Sequence, residues 1–164
     1  MQKTILKTEE LLKKVEEFKK NKNIDLSSDE DLSIALMNLI SIEEHLYFTG
    51  MKTDKKDYFN LLNNVREIRK TLLKEIVKEP EGEVWCTSKH LLAASMRLIE
   101  VGNKHLKKNE EKKAMMMFKN AFELYSLFWS INLNLIKPDK IKVDKGWRNK
   151  FSEIVKKIID CCKE

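Results

Sequence analysis

The sequence predicts an all-α protein: an antiparallel four-helix bundle with additional N- and C-terminal helices. Three observations carry that prediction. The 164 residues include only four Gly and two Pro, the residues that most often punctuate regular structure. Charged residues make up 35% of the chain and interleave with Leu, Ile and Ala, a composition of good helix formers. Apolar residues recur three and four apart over long stretches, the period of one helix face. A chain of this length is expected to form one domain, 1–164, and it can bury a core without disulfides or metal.

The first helix is expected over about residues 4–20, with Ile5, Leu6, Leu11, Leu12, Val15 and Phe18 on its apolar side. The polar stretch Asn21–Ser28 is turn-like, and Ser28 is placed to cap the next helix. Asp29, Glu30 and Asp31 then occupy its first turn, where acids complement the helix dipole. This helix, which opens a core bundle of about residues 29–136, runs to about Phe48 and carries Leu32, Ala35, Leu36, Leu39, Ile42 and Leu46; Gly50 is read as its end. Asp54 caps a third helix, about 55–78, whose stripe is Tyr58, Leu61, Leu62, Val65, Ile68, Leu72 and Ile76.

Pro80 and Gly82 break the chain before helices at about 83–108 and 110–136. The second of these is apolar over much of its circumference, from Met115–Phe118 through Phe122, Leu124, Tyr125, Leu127, Phe128, Trp129 and Ile131. Such a helix is central in its bundle or covers a second face with a partner. Pro138 ends it, a basic linker spans Lys137–Lys145, and a last helix is expected over about 147–162. Short connections between long helices predict antiparallel neighbours.

The net charge is +6 and the isoelectric point near 9.1, a balance that favours encounter with nucleic acid or acidic partners. Most of that charge is interleaved Lys and Glu, the pattern of a solvated helix face. No apolar run is long enough for a membrane span, and the N-terminus has no signal-peptide core. Cys86, Cys161 and Cys162 are odd in number, with two adjacent, which is not a secreted disulfide framework; a cytoplasmic, reducing location is the expectation.

Only four of the 32 basic residues are Arg: Arg66, Arg69, Arg97 and Arg148. Where Lys is the default cation, Arg marks a need for the planar guanidinium fork. Arg66, Arg69 and Arg97 can each pair with a carboxylate at the core boundary, with Glu43, Glu44, Glu100 and Glu123 as candidates. Joined by Lys89 and His90, the same arginines instead form a candidate anion pocket for a phosphate or nucleotide. Cys86 and His90 stand at i and i+4, a spacing that can place two ligands on one metal. A structural zinc needs four ligands, and only His45 and His105 offer additions, so a packed thiol beside a hydrogen-bonded His is the simpler expectation. No cofactor is expected. A di-iron centre would need Glu-x-x-His on two helices, which this chain lacks.

Gly102, Ala114, Phe118 and Ala121 fall at the small and aromatic positions of a close-packed helical hairpin. On those residues the stretch 95–128 resembles a single tetratricopeptide unit. Leu98 and His105 stand where that family has aromatics, the closing proline is absent, and no second copy follows. The resemblance implies close-packed paired helices and, by extension, peptide binding. Arg97 and His105 are also similar in type to the Arg and His that HEPN-type ribonucleases and nucleotide-binding domains carry on one helix. In that family four to six residues separate them, whereas here seven do.

The expected function is that of a non-enzymatic helical interaction module, a homodimer or a subunit of a larger assembly. Its candidate interaction surface is Met115, Met116, Phe122 and Trp129 with the basic C-terminal Trp147 and Arg148. The alternatives are a nucleic-acid- or nucleotide-binding bundle of HEPN-like type, with or without nuclease activity, and a metal- or cofactor-binding bundle at Cys86 and His90.

Overall fold

The computed structural model describes residues 26–78 and 82–135. Among these residues four helices form: α1 (Ser27–Thr53), α2 (Asp57–Ile76), α3 (Glu83–Lys107) and α4 (Glu111–Asn132). No strand forms among them, and none of these helices is long and apolar enough to cross a membrane. The expected segments 4–20 and 147–162, the linker 137–145, and Cys161, Cys162, Trp147 and Arg148 lie outside the described residues.

Three helix boundaries differ from the sequence reading: α4 ends at Asn132, short of the expected 136 and before Pro138, and both ends of α1 shift. The helix expected to stop near Phe48 continues to Thr53, with Gly50 buried inside it. A Cβ on Gly50 would lie 2.8 Å from Cζ of Phe59, so this glycine is a notch for the Phe59 ring and not a stop. The stop is Asp54, which adopts the left-handed conformation (φ 53°, ψ 28°) as C-cap of α1 and so is not the cap of α2. Asp tolerates that conformation better than most residues. Similarly, α1 begins at Ser27 with Leu26 before it, and no side chain caps it, so Ser28 lies inside the first turn. Asp29 and Glu30 still sit where the dipole favours them.

The helices pair in sequence as two hairpins, α1 with α2 and α3 with α4, and α1 also touches α3. Each hairpin holds a constant antiparallel register. In the first, Gly50 meets Phe59 and Glu43 meets Arg66, seven residues back on one helix for seven forward on the other. In the second, Gly102 meets Phe118 and Ser88 meets Asn132, fourteen residues for fourteen.

Small residues make the α3–α4 contact close. Ser88, Ser95 and Gly102 recur every seven residues on α3, as do Ala114, Ala121 and Phe128 on α4, and all six are buried. The spacing keeps each set on one helix face. A Cβ on Gly102 would lie 2.4 Å from Cε1 of Phe118, so the ring fills the space that glycine leaves. The buried hydroxyls return their bonds to their own helices: Ser95 to the Leu91 carbonyl, Ser126 to Phe122 and Ser130 to Ser126.

The hydrophobic core lies at one end of the bundle. It consists of Leu36, Met37, Leu73, Ile76, Val77, Leu91, Leu92, Phe128, Trp129 and Ile131. These residues come from the start of α1, the end of α2, the start of α3 and the end of α4, and Trp85, Phe122 and Tyr125 pack against them. The Phe128 and Trp129 rings meet edge to face with centroids 5.2 Å apart. At the opposite end, near the two hairpin turns, Tyr47, Phe48, Met51, Leu61, Val101, Leu106, Met115 and Met116 are exposed. The bundle therefore has a closed, core-bearing end and an open end, although Ile34, Ile42 and Ile68 are exposed away from the turns as well.

Candidate functional site

Three of the arginines singled out in the sequence are engaged by carboxylates. Glu43 on α1 accepts from Arg69 Nε at 2.7 Å, from Arg69 Nη2 at 3.1 Å and from Arg66 Nε at 3.3 Å. The Glu43 and Arg69 side chains are only 12% and 5% exposed, whereas Arg66 is 49% exposed. Burial alone would push the Glu43 carboxyl upward, but the Arg69 hydrogen bond and charge, followed by those of Arg66, outweigh it and hold the carboxyl below its ordinary range. The forked Arg69 contact is the geometry for which guanidinium surpasses ammonium.

The neighbouring Glu44 turns toward the other hairpin. It accepts from Arg97 Nε at 2.8 Å and from Arg97 Nη2, in a pair exposed on both sides. Consecutive residues of α1 thus serve different joints, Glu43 within the first hairpin and Glu44 between hairpins. Of the remaining candidates on α3, Lys89 and Glu100 are half-buried and His90 is exposed. Glu123 on α4 is half-buried and has an interaction partner. The structure thus gathers Arg66, Arg69 and Glu43 into one cluster and places Arg97 in a separate pair.

Cys86 is exposed with a free thiol, and His90, one turn on, is exposed as well. Among the described residues no group of three or more His, Cys, Asp or Glu side chains converges to hold a metal ion.

Two polar contacts went unseen in the sequence. At the α3–α4 turn, His105 Nδ1 lies 2.5 Å from Glu110 Oε2, and Lys113 Nζ donates to Glu110 Oε1 at 2.7 Å. The Lys113 and His105 hydrogen bonds lower the Glu110 carboxyl to about 2. The i, i+3 spacing of Glu110 and Lys113 was the available signal. The other contact is between the Ser33 and Tyr125 hydroxyls at 2.6 Å, joining α1 to α4 across 92 residues of sequence, for which no local signal exists. Ser33 also donates to the Glu30 carbonyl at 2.7 Å. Burial pushes the Tyr125 phenol up, and the Glu30 and Asp31 charges add to that; the hydrogen bond with the Ser33 hydroxyl opposes it without prevailing. The Trp129 indole N–H itself finds no acceptor in good geometry.

The candidate interaction surface divides. Met115 and Met116 are 66% and 53% exposed, Phe122 is half-buried, and Trp129 is 2% exposed within the core. Trp129 is thereby removed from the surface assigned to it: α4 reaches the closed end at its C-terminal half, where all four helices meet around it. On α1 the positions Ser33, Met37, Ile40, Glu44, Tyr47 and Met51 follow a four–three alternation, which marks one helix face. Ser33 meets Tyr125, Met37 and Ile40 join the core, and Glu44 meets Arg97, so this face looks toward the second hairpin. Tyr47 and Met51 continue it but are exposed. On α4 the equivalent line is Trp129, Ser126, Phe122, Lys119 and Met115, buried at Trp129 and Ser126 and exposed at Lys119 and Met115.

Comparisons with protein-family models, curated proteins and solved structures found no match.

Proposed function

We propose that this chain is a helical protein-interaction module that works through the open end of its bundle. One observation carries the reading. The helix faces that bury the core at one end continue, in unbroken register, as exposed Tyr47 and Met51 on α1 and Met115 on α4. A face patterned for helix packing and left uncovered among the described residues is the signature of a partner surface, and methionines adapt to varied partners. Self-association and assembly with another protein both satisfy it. The free thiol of Cys86 is in keeping with a cytosolic, reducing setting. The test is native mass spectrometry and sedimentation of the full chain beside Tyr47→Lys and Met115→Lys. The expected result is loss of assembly with the helix content of the monomer retained. Assembly that survives both substitutions refutes the reading.

A second reading, binding of nucleic acid or a nucleotide, draws on the lysines that ring the hairpin turns. The buried Arg69–Glu43 pair and the Arg97–Glu44 pair argue against the arginines as its anion contacts, because each guanidinium already faces a carboxylate.

A further inference from the structure

The first hairpin carries a second apolar face that the four helices leave uncovered. On α2 the line that meets α1 runs through Phe59, Arg66 and Arg69. One residue before it runs another line, Tyr58, Leu61, Val65, Ile68 and Leu72, apolar at every step of a three–four alternation. None of these five is buried, and Ile68 is 54% exposed. On α1 the line that meets α2 runs through Glu43 and Gly50. One residue before it runs Ala35, Leu39, Ile42 and Leu46, of which only Leu46 is buried and Ile42 is 43% exposed. In an antiparallel pair, positions one residue before the contact line on each helix border the same groove. In the register set by Glu43–Arg66 and Gly50–Phe59, Ile42 and Ile68 stand within one residue of the same height. The second hairpin meets α1 through Ser33, Met37 and Glu44, on the other flank of that helix, and so leaves this groove open.

The sequence that precedes α1 matches the groove in length, direction and charge. Residues 1–25 come before the described chain and join it at the start of α1, at the closed end. The span 4–20 has the apolar period of a helix, with Ile5, Leu11, Leu12, Val15 and Phe18 on one side. As a helix it would measure about 25 Å, the length of α1 from Ser27 to near Glu43, which is where Ile42 and Ile68 stand. Asn21–Asp25 remain as the connection. Five extended residues span at most about 17 Å, enough to join helices packed about 8–10 Å apart and too short for any course but one back along α1. Lys19, Lys20 and Lys22 then fall beside Asp29, Glu30 and Asp31 of the first turns of α1. The C-terminal residues leave instead from the end of α4, on the second hairpin.

We propose that residues 4–20 of this chain dock as a helix in the groove between α1 and α2, antiparallel to α1. Ile5 lies at the height of Ile42 and Ile68, and Leu12 at the height of Ala35 and Leu72. The segment is favoured over a second copy of the chain because its short tether holds it at an effective concentration on the order of millimolar. Docking covers Ile42 and Ile68 and leaves Tyr47, Met51 and Met115 at the open end exposed. The inference therefore goes beyond the interaction-module reading and does not rest on it.

The test uses the full chain carrying Cys86→Ser, Cys161→Ser and Cys162→Ser, into which three cysteine pairs are placed. They are Ile5→Cys with Ile68→Cys, Ile5→Cys with Met116→Cys, and Phe151→Cys with Ile68→Cys. Under diamide, the first pair should close a disulfide within one chain at least tenfold faster than the other two, read by mass after alkylation. Ile68 and Met116 are exposed, so cysteine at either position leaves the four helices folded. A second measurement follows hydrogen exchange in the parent chain. Amides of residues 5–18 should be protected, and Ile42→Lys with Ile68→Lys should speed their exchange at least tenfold, while Met116→Lys should not and amides around Leu36 and Leu73 stay slow in both. Equal disulfide rates in the three pairs overturn the inference. So does a faster Phe151 pair, which would assign the groove to the C-terminal segment, or a disulfide that joins two chains, which would assign it to a second copy. Exchange over 5–18 that is unprotected in the parent, or unchanged by the two lysines, overturns it as well.

Discussion

Replacing Arg69 by Met should destabilise the bundle far more than replacing Arg66, although both arginines touch the same carboxylate. Arg69 supplies two of the three guanidinium bonds to Glu43, at 2.7 and 3.1 Å, and the Glu43 side chain is only 12% exposed. Without Arg69 the carboxylate keeps only the 3.3 Å contact from half-exposed Arg66. Leaving a buried charge uncompensated costs about 3–5 kcal/mol. The surviving Arg66 contact reduces that to about 2–4 kcal/mol for Arg69→Met on the same scale. Arg66→Met removes one long bond from a solvated side chain and should cost about 0–1 kcal/mol. The double variant Glu43→Leu, Arg69→Met leaves no charge behind and should return to within about 1 kcal/mol of the parent.

Urea unfolding followed by circular dichroism reads all four proteins. At about 2–4 °C per kcal/mol for a chain of this size, the Arg69→Met melt should fall by roughly 5–15 °C. Because the folded Glu43 carboxyl lies below its ordinary value of 4.5, its contribution is complete above that pH and is lost as pH falls through the folded value. The gap between parent and Arg69→Met should therefore narrow on acidification. Equal costs for Arg66→Met and Arg69→Met, or a double variant worse than Arg69→Met alone, would refute the claim that burial of Glu43 sets the energetics.

Gly102→Ala should destabilise despite alanine's better helix propensity, because its Cβ would lie 2.4 Å from the Phe118 ring. Crowding of about 1–3 kcal/mol offsets a gain of about 1 kcal/mol; in a Phe118→Leu background the sign should reverse, which thermal melts will show. Glu110→Gln should flatten the acid limb of stability between pH 4.5 and about 2. A depressed carboxyl stabilises above its unfolded value and loses that contribution as pH falls toward its folded one. Tyr125→Phe should cost about 0.5–1.5 kcal/mol, since Ser33 keeps its bond to the Glu30 carbonyl. The raised phenol of the parent makes its stability decline above pH 10, as the unfolded chain ionises first, and the Phe variant should show less of that decline in alkaline urea titrations.

Most of the fold was legible because apolar periodicity along Leu36–Leu46, Leu62–Ile76 and Leu91–Gly102 reports burial directly. The rarity of Arg pointed to forked carboxylate pairs, and Glu43 and Glu44 supply them. Gly102 and Phe118 could be read as a close approach because a small residue and an aromatic stood at complementary positions. Gly50 was misread for a related reason. Glycine both ends helices and admits rings, and nothing local told that Phe59 lay opposite. Trp129 was misplaced because α4 is apolar around most of its circumference, so its pattern does not tell where along the helix the second hairpin is met. The Ser33–Tyr125 contact depends on how two hairpins dock, and no stretch of sequence encodes that by itself.

The placement of Glu43 and Glu44 on successive residues gives the molecule two stiffnesses. Within each hairpin the helices are zipped from turn to terminus, by Gly50 against Phe59 and by Gly102 against Phe118. Between hairpins the closed-end core acts as the stem of a tuning fork, and beyond it the prongs are tied by the solvent-exposed Glu44–Arg97 pair. Exposed pairs loosen as salt rises, whereas buried ones resist it. Ionic strength should therefore set how far the prongs swing while each remains rigid, so that the distance between spin labels at Tyr47 and Met115 broadens with salt while the core around Leu36 and Phe128 stays fixed.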